Sequence, residues 1–444
     1  MRGTIFGVAG LLFALLFGGL PAAAARRFPN VLLVSVDTLR ADRLSAAGYE
    51  RPTTPHIDAL ARSGVLFTQA RTVEPLTTPA MASLLTSMYP HQHGASRNGL
   101  RVRPDLPSLP KILARRGYRT AAFVGNWTLK DRISGLAEHF GLYEEAFNRK
   151  RWFGLFGSEA GAAQLTAAAV EWVDRHRREE PVRPFLLWVH YVEPHAPYRF
   201  HEEYAARLSI ARNPLPGDRY DTEVALVDHW VGRLLGEVRE RTPAAETLVI
   251  FTADHGESLG EHGYWGHGRH LYESGLRIPL ALVWPGRLAP QVVGTSAINL
   301  DVAPTLLTLL GLPVPSEFQG FDWAPVLRGT APAPDRVTFY QAHKGAVQLI
   351  EEPAHARLRG LLEVGVLAEG ILEVLRVPAG ERRLFALGPA GAKKVNARGI
   401  RRRAQELADW LRHVRDGLEA RDRTPDPAID TETAARLRAL GYLE

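Results

Sequence analysis

Five short runs along the chain are apolar over most of their length: Val31 to Val36, Thr120 to Val124, Phe185 to His190, Leu248 to Thr252 and Pro279 to Trp284. Strands that lack a polar alternation are buried on both faces, as in a parallel sheet covered by helices. Amphipathic stretches separate the runs, among them His56 to Ser63, Ala80 to Ser87, Ser108 to Arg116, Ala162 to Arg178, Thr222 to Arg241 and Val302 to Leu310. This order predicts an α/β fold, a mostly parallel central sheet flanked by helices. Two of the runs end in acids: Asp37 follows the first, and Asp254-His255-Gly256-Glu257 follow the fourth. Ligands of open α/β sheets bind just past the carboxyl ends of strands. Either acid alone would also suit a helix cap or a turn; the pair, with a histidine beside it, predicts a metal site built from distant parts of one sheet.

The 444 residues can bury a large core and divide into several structural units. Residues 1–25 read as a signal peptide: Met1-Arg2, an apolar stretch from Ile5 to Leu20, Pro21, then Ala22 to Ala25. A retained anchor is the alternative, although the apolar run is short for a spanning helix. The reading predicts a secreted or periplasmic protein without lasting membrane contact. Such compartments permit disulfides, yet the chain has no cysteine, which excludes thiolate catalysis and thiolate ligation. The net charge of +6 is modest, and the Arg-rich stretches Arg175 to Arg178 and Arg401 to Arg403 lack interleaved aromatics, so nucleic acid is not an expected partner.

The expected catalytic unit spans residues 26–333. Past the Pro-rich Ala331 to Pro334, a smaller α+β subdomain is expected over 334–423, with strands in Gly360 to Val366 and Gly370 to Val377 and a basic helix near Arg401 to Leu418. Residues 424–444 read as a linker and a terminal helix from Asp430 to Glu444.

A third chemical segment is Pro75-Leu76-Thr77-Thr78-Pro79-Ala80. Pro79 suits the first position of a helix and Thr78 its cap, which leaves Thr77 just ahead of the dipole's positive end. A threonine hydroxyl is a poor nucleophile until a divalent cation activates it. An ordinary capped helix is the plain alternative.

Taken together, "NVLLVSVDTLRADRLSAAGY", "PTTPHIDALARSGVLFTQA", "SLLTSMYPHQHG", "VHYVEPHAPY", "FTADHGESLGEHGYWGHG", "LYESGLRIPL", "DVAPTLLTLLGLP" and "LRALGYLE" resemble the sulfatase family of the alkaline-phosphatase superfamily. The resemblance runs from about residue 29 to the C-terminus and is strongest over the first 310 residues. It implies Asp37, Asp254 and His255 as ligands of one divalent metal ion, with Thr77 completing the shell as nucleophile. His195 would contact the ester's non-bridging oxygens, and His267 would lie near the leaving group. The family often has an Asp where this chain has Thr38, so a four-carboxylate calcium shell is incomplete here; the mixed Asp/His shell accepts calcium or manganese, and zinc too.

The chain departs from the family at the nucleophile. Sulfatases start from Cys or Ser in C/S-x-P-x-R and oxidise it to formylglycine, whereas the matching residues here are Thr77, Pro79 and Met81. Threonine lacks the primary Cβ that this oxidation needs, so no formylglycine is expected. The family's G-K-W-H-L reads Gly125-Asn126-Trp127-Thr128-Leu129. Asn126, Thr128 and Asn98 would then be neutral contacts to substrate, resembling the phosphonate monoester hydrolase and phosphodiesterase branch. The expected function is a metal-dependent hydrolase that cleaves a phosphate, phosphonate or sulfate ester of a small molecule, glycan or lipid through a covalent Thr77 intermediate. A phosphoryl or phosphoethanolamine transferase and a catalytically silent anion- or glycan-binding homologue are the alternatives.

Four weaker signals have plainer readings. His91 and His93 are expected to be structural, since two histidines do not complete a metal shell. His262 shares a loop with His267 and is a candidate to assist it. Asp228, Asp301 and Glu257 read as caps or as partners of ligands. The sequon Asn126-Trp127-Thr128 follows an expected strand, which favours a site or core role over glycosylation.

Overall fold

The computed structural model describes residues 28–146, 161–211, 213–345, 360–388, 391–395 and 401–422. The signal-peptide reading and the terminal helix fall outside them. Among the described residues no helix is long and apolar enough to cross a membrane.

The central sheet has eight strands: β1 (Asn30–Val36), β2 (Val65–Phe67), β3 (Arg119–Val124), β4 (Leu142–Glu145), β5 (Phe185–Tyr191), β6 (Thr247–Ala253), β7 (Leu280–Val283) and β8 (Gln291–Val293). Their spatial order is β8-β2-β7-β6-β1-β5-β3-β4. The five apolar runs are β1, β3, β5, β6 and β7. β2, β4 and β8, three or four residues long, lie outside those five runs. Strand β7 runs antiparallel to both of its neighbours, so the sheet is mixed at this side, while β6, β1, β5, β3 and β4 are mutually parallel. β1 is wholly buried, as a strand covered on both faces must be.

Helices α1 (Pro55–Arg62), α2 (Thr77–Thr86), α3 (Ala162–Glu179), α4 (Pro216–Arg241) and α5 (Val302–Leu310) surround the sheet. α3 and α4 pack on one another with α1 against α4, and α5 packs on α2. Helix α4 starts six residues before the expected Thr222, because Pro216 fits a first turn and the Asp218 carboxylate accepts from the Leu215 amide. Asp228 accepts from the His56 and Ile57 amides and so caps α1. Asp301 likewise accepts from the Ile298 and Phe321 amides and from Arg336.

The C-terminal subdomain is an antiparallel sheet of β9 (Thr338–His343), β10 (Leu361–Ala368), β11 (Ile371–Arg376), β12 (Glu381–Gly388) and β13 (Gly391–Lys394), with helix α6 (Arg401–Asp422) against it. Its core includes Val73, Leu271 and Leu276 from the first unit. His91 serves this packing, and His93 is held within the first unit. His91 pairs with Gln341 at 3.0 Å and lies edge-on to Trp410, while His93 pairs with Ser83 at 3.0 Å.

Glu193, in the turn after β5, anchors helix α3 by accepting from the Ala162 amide at 3.0 Å. Burial, with Glu223 nearby, pushes its carboxyl from the ordinary 4.5 up to about 7. Between those values the unfolded chain loses a proton that the folded chain keeps, so stability falls as pH rises through that window and levels off above it. Glu193→Gln should remove this loss. Thermal melts should show the variant gaining on wild type between pH 4.5 and 7, up to about 3 kcal/mol, each pK unit being worth about 1.4 kcal/mol.

Candidate metal-centred active site

The register of three parallel strands builds the floor of the site. Val36 pairs with Ala253 on one side and with Tyr191 on the other. The next residues, Asp37 and Asp254, therefore emerge side by side at the carboxyl edge. Asp37 is held by its amide to the Tyr191 carbonyl at 2.9 Å, and Asn126 Nδ2 donates to its Oδ2. Thr38 turns the chain away with φ +53°, its amide donating to Asp254 Oδ1 at 3.1 Å and its hydroxyl to the Asp37 carbonyl at 2.8 Å. The residue in place of a further acid is thus spent on the turn.

Asp37, Asp254 and His255 each offer an atom within 4.8 Å of the others, all buried, and they form the one such group among the described residues. His255 Nδ1 lies 2.9 Å from the Gly256 carbonyl, which can only accept. The imidazole proton therefore sits on Nδ1, and Nε2 turns its lone pair inward. That lone pair faces Asp254 Oδ2 at 3.4 Å and Asp37 Oδ1 at 3.8 Å. Burial holds His255 below its ordinary pKa despite Asp254 beside it, and Asp254 Oδ2 has no hydrogen-bond partner. Two buried carboxylates crowded against a neutral imidazole are costly unless a cation joins them. The donor set fits a divalent ion that takes oxygen and nitrogen ligands.

Thr77 arrives from the far side at the first position of α2, its Oγ1 3.4 Å from His255 Nε2. The cap is Leu76, not Thr78. Thr78 is inside the helix because its partners are remote: its hydroxyl donates to the Thr128 carbonyl at 2.8 Å and its amide to Asn98 Oδ1 at 3.0 Å. Distant side chains thus do the work of a local cap.

The neutral residues divide their duties. Asn126 Oδ1 accepts from both the amide and the hydroxyl of Thr128, at 2.7 and 2.8 Å, so Thr128 orients Asn126, which in turn holds Asp37. Asn98 uses its oxygen on Thr78 and leaves Nδ2 buried without a hydrogen-bond partner. Asn126 is 1% exposed, so its sequon lies inside the site.

His195 and His267 pack into the same cluster. The His267 ring lies 4.4 Å from His255 and 5.3 Å from His195. His267 Nδ1 pairs with Glu257 Oε1 at 3.0 Å. Burial works against a charged His267, but Glu257 outweighs it and raises the imidazole above its ordinary pKa; Glu257, which burial would push up, is held low by His267, His195 and His255. Burial and the nearby His267 lower His195 to about 4, and its Nδ1 pairs with the Ala196 carbonyl at 2.6 Å. His262 is elsewhere, its ring packed on Tyr272 at 4.4 Å.

One residue of this floor was not evident from the sequence. His190, the polar member of β5, is fully buried and contacts Ser35 Oγ at 2.8 Å, with Nε2 4.0 Å from Asp37 Oδ2. Ser35 Oγ also accepts from Trp188 Nε1 at 2.8 Å. A histidine in an otherwise apolar strand, next to its last residue, is the signal that could have found it.

The family model described as Sulfatase matches residues 29–312. Arylsulfatase A of Homo sapiens is 30% identical over 393 residues, covering 74% of this chain and 73% of that protein. Steryl-sulfatase of Mus musculus is 28% identical over 424 residues, covering 70% and 67%. The solved phosphonate monoester hydrolase of Agrobacterium radiobacter shares the fold, with TM-score 0.67 and 21% identity over 87% of this chain and 95% of that one. Strand-end acids, a threonine-headed helix and a match over most of the chain lead to one assignment: the chain belongs to the sulfatase family and is a hydrolase of ester bonds.

Proposed function

We propose that this protein is an exported, metal-dependent hydrolase whose nucleophile is the unmodified Thr77, acting on phosphate diesters or phosphonate monoesters in preference to sulfate esters. The observation that carries the reading is the inward lone pair of His255, facing both carboxylates with the Thr77 hydroxyl beside it. Asp37, Asp254, His255 and Thr77 would hold the cation. Manganese or calcium suits this set, with zinc the further option. When bound, the ion would supply the positive charge that makes a threonine hydroxyl acidic enough to attack.

The residues then divide the work. Thr77 Oγ1, its proton released to solvent, forms a bond to phosphorus or sulfur as the bond to the leaving oxygen breaks. His267, charged against Glu257, gives its proton to that oxygen. Asn98 Nδ2 would donate to a non-bridging oxygen, while His195, whose Nδ1 proton goes to the Ala196 carbonyl, would line the same oxygens without donating. A threonine ester has no second hydroxyl on Cβ to expel the group, so water must open it: the bond from water oxygen to phosphorus or sulfur forms as the bond to Thr77 Oγ1 breaks, and a proton from the water returns to Oγ1 by way of solvent. Small-molecule and glycan or lipid esters all present these atoms.

The test is a panel of aryl sulfate, phosphate diester and phosphonate monoester substrates, with and without chelator. Turnover should be highest on the phosphorus esters and lost with chelator. Tight metal binding with no turnover on any of the three would instead support an anion- or glycan-binding role. Transfer of the group to an added acceptor alcohol, in place of water, would support a transferase. His267→Ala should lower kcat on alkyl esters by about 10² to 10⁴-fold, the usual worth of a general acid, and spare 4-nitrophenyl esters, whose leaving group needs no proton.

A further inference from the structure

The loop that carries His267 is held from across the domain boundary. Glu363 sits in β10 of the C-terminal sheet, 1% exposed. Its Oε1 pairs with His270 Nδ1 at 2.8 Å and accepts from Arg383 at 2.6 Å, while Oε2 accepts from the Leu271 amide at 2.9 Å. Burial would push this carboxyl up, but the His270 and Leu271 hydrogen bonds and the Arg383 charge outweigh it and hold it as a carboxylate. The Tyr264 ring stands edge-on to His270 at 4.8 Å, and the Tyr264 hydroxyl donates to the His267 carbonyl at 2.7 Å.

The loop is pinned at two further points. Gly268, with φ +94°, passes so close to Leu76 that a Cβ there would lie 2.6 Å from Leu76 Cδ2, and Leu76 is the residue before Thr77. Glu257 holds the His267 ring itself. A buried carboxylate that accepts from one backbone amide and two side chains of different segments is costly to desolvate and is well suited to fixing a register. Here the register is the distance between the His267 ring and the Thr77 hydroxyl.

We propose that Glu363 is a positioning residue through which the C-terminal subdomain sets His267 against the leaving group, by way of His270, Leu271 and Tyr264. This rests on the reading of His267 as the proton donor. Misplacement of a catalytic group by an ångström costs up to about 10²-fold, and the cost falls only on substrates that need the proton.

Glu363→Gln should therefore lower kcat on alkyl esters by about 10- to 10²-fold. KM, turnover of 4-nitrophenyl esters and metal affinity should stay within about twofold, the scatter expected for sites remote from a change. Adding it to His267→Ala should cost nothing more, since both act on one step. Tyr264→Phe removes only the hydroxyl that reaches His267 and should show the same selectivity, which keeps the proposal testable if the Gln variant fails to fold. Equal losses on alkyl and aryl esters, or additive losses in the double variant, would overturn it. If His267→Ala itself spares alkyl esters, the proton-donor reading fails and this proposal with it; if His267→Ala is selective but Glu363→Gln and Tyr264→Phe are not, this proposal alone fails.

Discussion

Thr77→Ala should abolish turnover, by on the order of 10⁴-fold or more, in a protein that still folds and still binds its metal. The side chain is fully buried at the first position of α2, and among the described residues its hydroxyl makes only the long 3.4 Å contact to His255. Alanine is the best helix former, so the lost contact should cost no more than about 1 kcal/mol. Metal content should persist because Asp37, Asp254 and His255 are untouched. Thr77→Ser, which keeps a hydroxyl on the same atom, should recover part of the activity. Mass spectrometry of the wild-type protein should find an unmodified threonine at position 77, and a phosphoryl adduct there after rapid quenching. Undiminished activity of Thr77→Ala would remove the nucleophile from the proposal altogether.

Asp254→Asn is expected to act in the opposite way, on the metal first. Asp254 Oδ1 accepts from the Thr38 and His255 amides at 3.1 and 2.7 Å, and an asparagine oxygen can keep both. Oδ2 is the atom that faces His255 Nε2. Replacing it with an amide removes one charge from the donor set, so metal affinity by titration calorimetry should fall by more than the 10- to 100-fold that loss of a mere outer partner costs. Wild type should gain about 2.7 kcal/mol of stability at a metal concentration one hundred times its Kd; the variant should lose that gain. Without metal the order reverses, because an amide can donate to the His255 lone pair where a carboxylate repels it. The metal-free variant should therefore melt higher than metal-free wild type. Equal melting temperatures in chelator would show that Asp37, Asp254 and His255 are not under mutual repulsion.

The parts of the site that could be read along the chain are those written into strand ends. Asp37 and Asp254-His255 stand where β1 and β6 stop, and strand ends are visible because an apolar run must give way to polar residues at the sheet's edge. The C-terminal sheet was visible for a related reason, as its strands Leu361–Ala368 and Ile371–Arg376 are joined by a two-residue turn. The antiparallel setting of β7 was not visible, since a strand buried on both faces has the same composition in either direction. Nor was the start of α2. Thr78 reads as a cap until its hydroxyl and amide are seen to be taken by Thr128 and Asn98, which lie 50 and 20 residues away.

The same limit applies to chemistry. Residue types and their order pointed to Asp37, Asp254 and His255 as candidate metal ligands, to a threonine at the position of the formylglycine precursor, and to His195 and His267 as candidate contacts of the ester. What they left open was how each side chain's hydrogen bonds are used. Only the folded structure places the His255 proton on Nδ1, spends the Thr128 hydroxyl on Asn126, sets Glu257 against His267 and brings Glu363 to the loop behind it. Ligand identity follows from side-chain chemistry, which a sequence states outright. Protonation and orientation follow from partners far away in the chain, which only packing brings within 3 Å.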